Sequence, residues 1–252
     1  MIKTAMLAAS LVALAFAALP ALASATFPDP YLADGPNDDP ITGEPTFTVE
    51  NEGVTELTTS HTPPVVCQKA TGNGKFTSPE TGVIEFHFEN CTTIFSLPCT
   101  SEEQESGNIT TTELEFHLKT VDHGEEQTPG VLITPGDEEV EHGTHFASFS
   151  CPFIGEVVVG GTSAEDPVAG IVGTITSPEK GVASNTHTLS FESESAGVQT
   201  HRTVTNDNEE TTEYDLKASI GESETTTAAQ DGKGILTFDD PETEPKILTT
   251  EG

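Results

Sequence analysis

The sequence predicts an all-β protein, an antiparallel sandwich or barrel-like sheet held by two disulfides. Three observations carry that expectation. Apolar and polar residues alternate at period two in the clearest segments. Short β-branched runs recur between turn signals. Four cysteines follow a leader of the secretory type.

The leader comes first. The chain opens MIKTAMLAASLVALAFAALPALASA. Lys3 supplies a positive start, Ala5 to Leu19 an apolar stretch, and Ala21-Leu22-Ala23 and Ala23-Ser24-Ala25 two small-x-small sites. These features read as a signal peptide over residues 1–25, cut after Ala25, and predict a secreted, extracellular protein. Cleavage would leave 227 of the 252 residues, ample for a hydrophobic core. Val168 to Ile175 is the best later apolar run. It is too short to cross a bilayer, so no transmembrane segment is expected in the mature chain.

Charge narrows the choice of partners. The chain holds 42 Asp+Glu against 9 Lys+Arg, a formal net charge of −33. The leader has one basic residue and no acid, so the mature charge becomes −34. A surface this acidic repels phosphate backbones, and nucleic acid is excluded as a partner. Acidic runs fall between the strand candidates, as expected of a solvated surface.

Residues 26–45 are rich in Pro, Gly and Asp and predict a flexible lead-in. Residues 46–240 read as the all-β domain, with a two-lobed alternative divided by a seam near 177–183, where Pro and Gly cluster. Residues 241–252 read as a flexible tail. Within the domain, residues 46–50 alternate, and residues 63–67 form a turn entering a strand. In residues 82–90, Ile84, Phe86 and Phe88 share one face, while Val83, Glu85, His87 and Glu89 share the other. In residues 110–119 the inward set is Thr112, Leu114, Phe116 and Leu118. Further strands are expected over 131–134, 144–150, 154–159, 169–176, 187–192, 197–204, 213–220, 225–229 and 234–238. Turns are expected at 72–75, 134–137, 177–181 and 230–234, each carrying Gly with Pro, Asp, Asn or Lys.

The cysteines are Cys67, Cys91, Cys99 and Cys151. Four cysteines admit three pairings. The short segment between Cys91 and Cys99 favours a local clip, which leaves Cys67–Cys151 as the long staple. The spacing lacks the C-x-x-C pair of a zinc site, and an even count argues against a free catalytic thiol.

Chemistry is thinly marked. No nucleophile elbow, zinc-protease helix motif, phosphate loop or dinucleotide fingerprint occurs, so no catalytic residue is nominated. Weak metal candidates are the outward groups Glu85, His87, Glu115 and His117, which would converge if their strands pair in register, together with His142 and His145. Calcium could take oxygen ligands from Asp38, Asp39, Asp207 or Asp231, although none stands in an EF-hand pattern. No other cofactor is expected.

The series Phe88-x-x-Cys91, Cys99-Thr-Ser, Gly107-Asn-Ile-Thr-Thr, Leu114-x-Phe-x-Leu-Lys119, Phe149-x-Cys151 and Val168 to Ile175 resembles a group of uncharacterised secreted, cysteine-containing β-rich proteins of soil actinobacteria. The resemblance covers about residues 65–240. It implies export, disulfides and a β-rich fold, and it carries over no functional residue. The resulting expectation is a secreted, non-catalytic extracellular or envelope-associated module. The alternatives are a divalent-cation-dependent adhesion or carbohydrate-binding module, and a secreted hydrolase working from the Glu85/His87 and Glu115/His117 face.

Overall fold

The computed structural model describes residues 29–34, 37–123, 126–136, 145–160, 169–179, 182–205, 211–221, 225–240 and 244–248. The signal-peptide reading, His142 and Asp207 lie outside the described residues. Eight strands follow one another around a ring: β1 (Thr46–Asn51), β2 (Val65–Phe76), β3 (Thr81–Thr92), β4 (Leu114–His123), β5 (Glu126–Pro135), β6 (Ile171–Thr176), β7 (Thr186–Phe191) and β8 (Thr226–Phe238). Each pairs antiparallel with the next. The ladder from Gly234↔Asn51 to Phe238↔Phe47 joins β8 back to β1. The sheet is therefore a closed up-and-down barrel, which leaves the ring without an edge.

Five positions in the ring are filled by two strand segments in line. Thr55–Thr59 continues β1, Ile109–Thr110 leads into β4, and His145–Cys151 continues β5. Gly155–Gly160 leads into β6, and Leu216–Ile220 continues β7. These second segments pair around the upper half of the barrel, with the bridge Thr111↔Ala147 completing the circuit. The unbroken strands β2, β3 and β8 run 12, 12 and 13 residues through both halves.

Alternation decides which residues fill the interior. Leu114, Phe116 and Leu118 of β4 are buried at 2%, 4% and 1% exposure. Thr112 lies just before β4 and is exposed; its hydroxyl donates to His145 O at 2.9 Å instead of entering the core. Near the end where β1 begins, Phe47, Phe76, Phe116 and Phe238 interlock with ring centroids 4.8–6.2 Å apart. Four of these contacts are tilted or edge-on and the Phe76–Phe238 pair is stacked, arrangements that suit the aromatic quadrupole. Outward positions carry charges, as in the Lys69–Glu89 pair at 2.9 Å. Polar outside and apolar inside is the reverse of a barrel that faces lipid.

Two expected turns are strand interior. Residues 72–75 belong to β2, and residues 230–234 belong to β8. Their glycines admit neighbours instead of reversing the chain. A Cβ on Gly74 would stand 2.5 Å from the Phe47 ring, and one on Gly234 would stand 2.8 Å from Val49 Cγ1. Both distances are too short for real packing, so these sites require glycine.

The disulfides also differ from the expected pairing. They are Cys67–Cys91 and Cys99–Cys151, not Cys91–Cys99 and Cys67–Cys151. Ladder register explains the first, since Cys67 and Cys91 are direct cross-strand partners in β2 and β3. The segment after Cys91 does turn back, through the bridge Thr92↔Pro98. It then delivers Cys99 beside the Thr100↔Ser150 bridge, within reach of Cys151.

Parts of the two flanks read as flexible are paired. Tyr31–Asp34 forms a small antiparallel sheet with Asp39–Pro40 and Lys246–Leu248. Leu32, Ile41 and Ile247 join the main core, and Lys119 forms an ion pair with Asp29. This sheet covers the Phe-filled end of the barrel, where Leu32 N donates to Pro79 O and Ser184 N to Pro245 O. Elsewhere, the hairpin Thr203–Thr205/Thr211–Glu213 lies against β4 through Val204↔Val121. There it shields the outward residues Val121, Leu132 and Val172.

Candidate functional site

The interrupted ring positions create the most distinctive feature of the interior. Where a strand breaks, its neighbours lose ladder partners, and buried backbone groups must find others. Side chains supply them. Asn51 Oδ1 accepts from Ala70 N at 2.9 Å, beside the break at residues 52–54. Thr111 Oγ1 accepts from Phe86 N at 2.9 Å, beside the break before β4. Gln199 is buried at 3% exposure and replaces a missing strand opposite β8. Its Nε2 donates to Gln230 O and its Oε1 accepts from Gln230 N, both at 3.0 Å.

At this level the barrel interior holds a pocket of about 130 Å³. Phe86, Phe88, Phe149, Leu57, Val65 and Ile133 are among its walls. Small residues are prominent in its lining: Ala70, Ala147, Thr55, Gly232 and Gly234. Val49, Leu114, Ile133 and Leu189 line it on the side of the Phe-filled end. Phe86 and Phe88, predicted to face inward, do so and remain only half-buried because they border this space. An engineered apolar cavity of about 150 Å³ binds benzene or xenon, so a space of this size can take a molecule of that class.

Polar groups on the walls are few. Thr55 is 7% exposed, and its Oγ1 has no hydrogen-bond partner among the described residues. Gln230 sits at an inward position of β8, with its backbone clasped by Gln199. Lys233 also borders the space, but its Nζ is engaged by Glu52 at 2.8 Å, with both side chains half-exposed. Asn51 is engaged by Ala70 N and donates to Gln68 O at 3.3 Å.

The sequence candidates lie elsewhere. Glu85 and His87 are neighbours on the outer face of β3, with Glu85 Oε1 and His87 Nε2 2.9 Å apart. Glu115 and His117 lie on the outer face of β4, opposite Val83 and Thr81. The strands do pair, but their register places His117 beside Thr81, whereas His87 pairs with Thr110. Six residues of extended chain, about 20 Å, separate the two histidines along the strand direction. His145 is half-buried at the start of its strand. Asp38 accepts from Lys246 Nζ at 2.7 Å, Asp39 is exposed, and Asp231 accepts from Ser193 Oγ at 2.9 Å. Among the described residues, no three His, Cys, Asp or Glu gather to hold a metal ion.

One histidine that the sequence marked only as a strand start is distinctive in its burial. His187 is 1% exposed and packs edge-on to Phe238, with centroids 5.9 Å apart. Its Nδ1 lies 3.1 Å from Ser177 Oγ, and its Nε2 has no partner among the described residues. Burial lowers its pKa to about 4, against a smaller opposing effect of a hydrogen bond to the Ser184 backbone. At neutral pH the ring is uncharged.

No protein-family model, curated protein or solved structure matches the chain. No described helix is long and apolar enough to cross a membrane.

Proposed function

We propose that the protein is a secreted, non-catalytic binding module that holds one small, uncharged apolar molecule inside its barrel. The apolar cavity at the level of the broken strands carries this reading. An eight-stranded barrel is the size at which the interior is either just filled by side chains or holds one small ligand. Here the end where β1 begins is packed with Phe rings and the middle is not filled. Concave apolar sites with few polar groups are the usual form of small-molecule pockets. The lining offers no unengaged charge, since Lys233 is held by Glu52. Two disulfides fit an oxidising compartment, and the acidic exterior fits a solvated one.

The test is an NMR titration of the full chain with 1,4-dimethylbenzene. Saturable shifts are expected in the methyl groups of Leu57, Val65 and Ile133, with a ligand-dependent rise in thermal midpoint. Ala147→Leu and Ala70→Leu, which extend side chains into the space, are expected to weaken binding at least tenfold while the chain stays folded. If wild-type protein shows no saturable shifts, or both fillers bind as well as wild type, the reading is wrong.

A further inference from the structure

The same wall of the cavity carries two polar side chains, and we infer that the ligand is an apolar molecule bearing one neutral hydrogen-bonding group, read by Gln230 and Thr55. This rests on the binding reading above and adds the chemistry of what is bound. Gln230 pairs with Leu57 across β8 and the continuation of β1, and Thr55 stands two residues from Leu57 on the same inward face. The two side chains are thus diagonal neighbours, a separation that one ligand group can bridge.

Each has capacity to spare. The hydroxyl of Thr55 is buried and has no partner among the described residues. A buried hydroxyl in that state costs stability, which a ligand group would recover. Gln230 Nε2 donates to Asp231 O at 3.2 Å, and no described residue donates to its Oε1. Both backbone groups of Gln230 are held by Gln199, the O accepting and the N donating, so the carboxamide starts from a set position. A carboxylate or an amine would enter without a counter-charge, because Lys233 is committed to Glu52. A neutral hydroxyl or carbonyl meets both a donor and an acceptor on this wall.

The experiment compares 4-methylphenol with 1,4-dimethylbenzene, which have the same shape and differ in one polar atom, by calorimetric titration of the full chain. A purely apolar cavity rejects the phenol by about a hundredfold or more, because its hydroxyl loses water and gains nothing. With hydrogen bonds waiting, the two probes are expected to bind within about tenfold of one another. Gln230→Leu, which keeps the backbone clasp, is expected to weaken the phenol about tenfold and to leave the hydrocarbon unchanged or tighter. Thr55→Val, an isosteric change, is expected to act in the same direction.

If the hydrocarbon binds but the phenol is more than a hundredfold weaker, or if both variants leave phenol binding intact, this inference falls and the apolar-cavity reading stands. If neither probe binds wild-type protein, both fall together.

Discussion

Replacing Cys99 and Cys151 together by serine is expected to lower the unfolding free energy by about 3–4 kcal/mol. The bond closes a loop with a sequence separation of 52 residues. Loop-closure entropy for that length is about 4 kcal/mol, and measured losses are usually somewhat smaller. Locally, isolated bridges such as Thr100↔Ser150 are what otherwise join this loop to the His145–Cys151 strand. The Cys67→Ser/Cys91→Ser variant should lose less. Its loop is shorter, with a separation of 24 residues, and β2 and β3 stay joined by a continuous ladder. Denaturant titration of the two variants checks the order. The pairing itself has a sharp signature. After non-reducing tryptic digestion, the peptide spanning residues 76–119 carries both Cys91 and Cys99. It should be linked to the Cys67 peptide and the Cys151 peptide at once. A closed 76–119 peptide beside a separate Cys67–Cys151 pair would restore the pairing favoured by spacing.

The second large effect is on acid stability. His187 has a pKa lowered to about 4 in the folded chain, against an ordinary value of 6.5 when unfolded. Between those values the unfolded chain binds the extra proton and the folded chain does not. Stability from this group is therefore complete above pH 6.5 and lost as the pH falls toward 4, by roughly 3 kcal/mol in total. The 42 acids also repel one another, and that repulsion eases in acid. The raw profile mixes these opposing trends. The informative quantity is the difference between wild type and His187→Leu, measured by urea unfolding from pH 7 to pH 4. Wild type should lose about 3 kcal/mol relative to the variant across that range. Parallel profiles would show that the histidine is not held neutral by burial.

Much of the wall was legible in the sequence, because one face of each strand is wet. The alternation in residues 82–90 gives the correct inward set, including Phe86 and Phe88, and that in residues 110–119 gives Leu114, Phe116 and Leu118 but wrongly adds Thr112, which is exposed just before β4. Glycine is where that logic gives way. Gly72, Gly74, Gly232 and Gly234 look like turn residues, but they serve close approach by Phe86, Phe47, Thr55 and Val49. The disulfide pairing and the distance between His87 and His117 depend on ladder register, which sequence spacing does not encode. The in-line continuation of five ring positions was likewise hidden, since each half alone reads as an ordinary short strand. The cavity left only a faint trace. Ala70, Ala147, Thr55 and Gly232 are unremarkable until the closed ring brings them into one lining. His187 carried no signal at all, since a histidine opening a strand is normally read as exposed.

The closed barrel keeps an open apolar space between its Phe-filled end and its disulfide-bearing end. Crystals of the protein pressurised with xenon test it most directly, because xenon enters dry apolar cavities and scatters strongly. Strong anomalous density is expected in contact with Phe86, Phe88 and Phe149, inside the ring. A ring whose side chains have collapsed to fill that volume, with no xenon among them, would contradict the account.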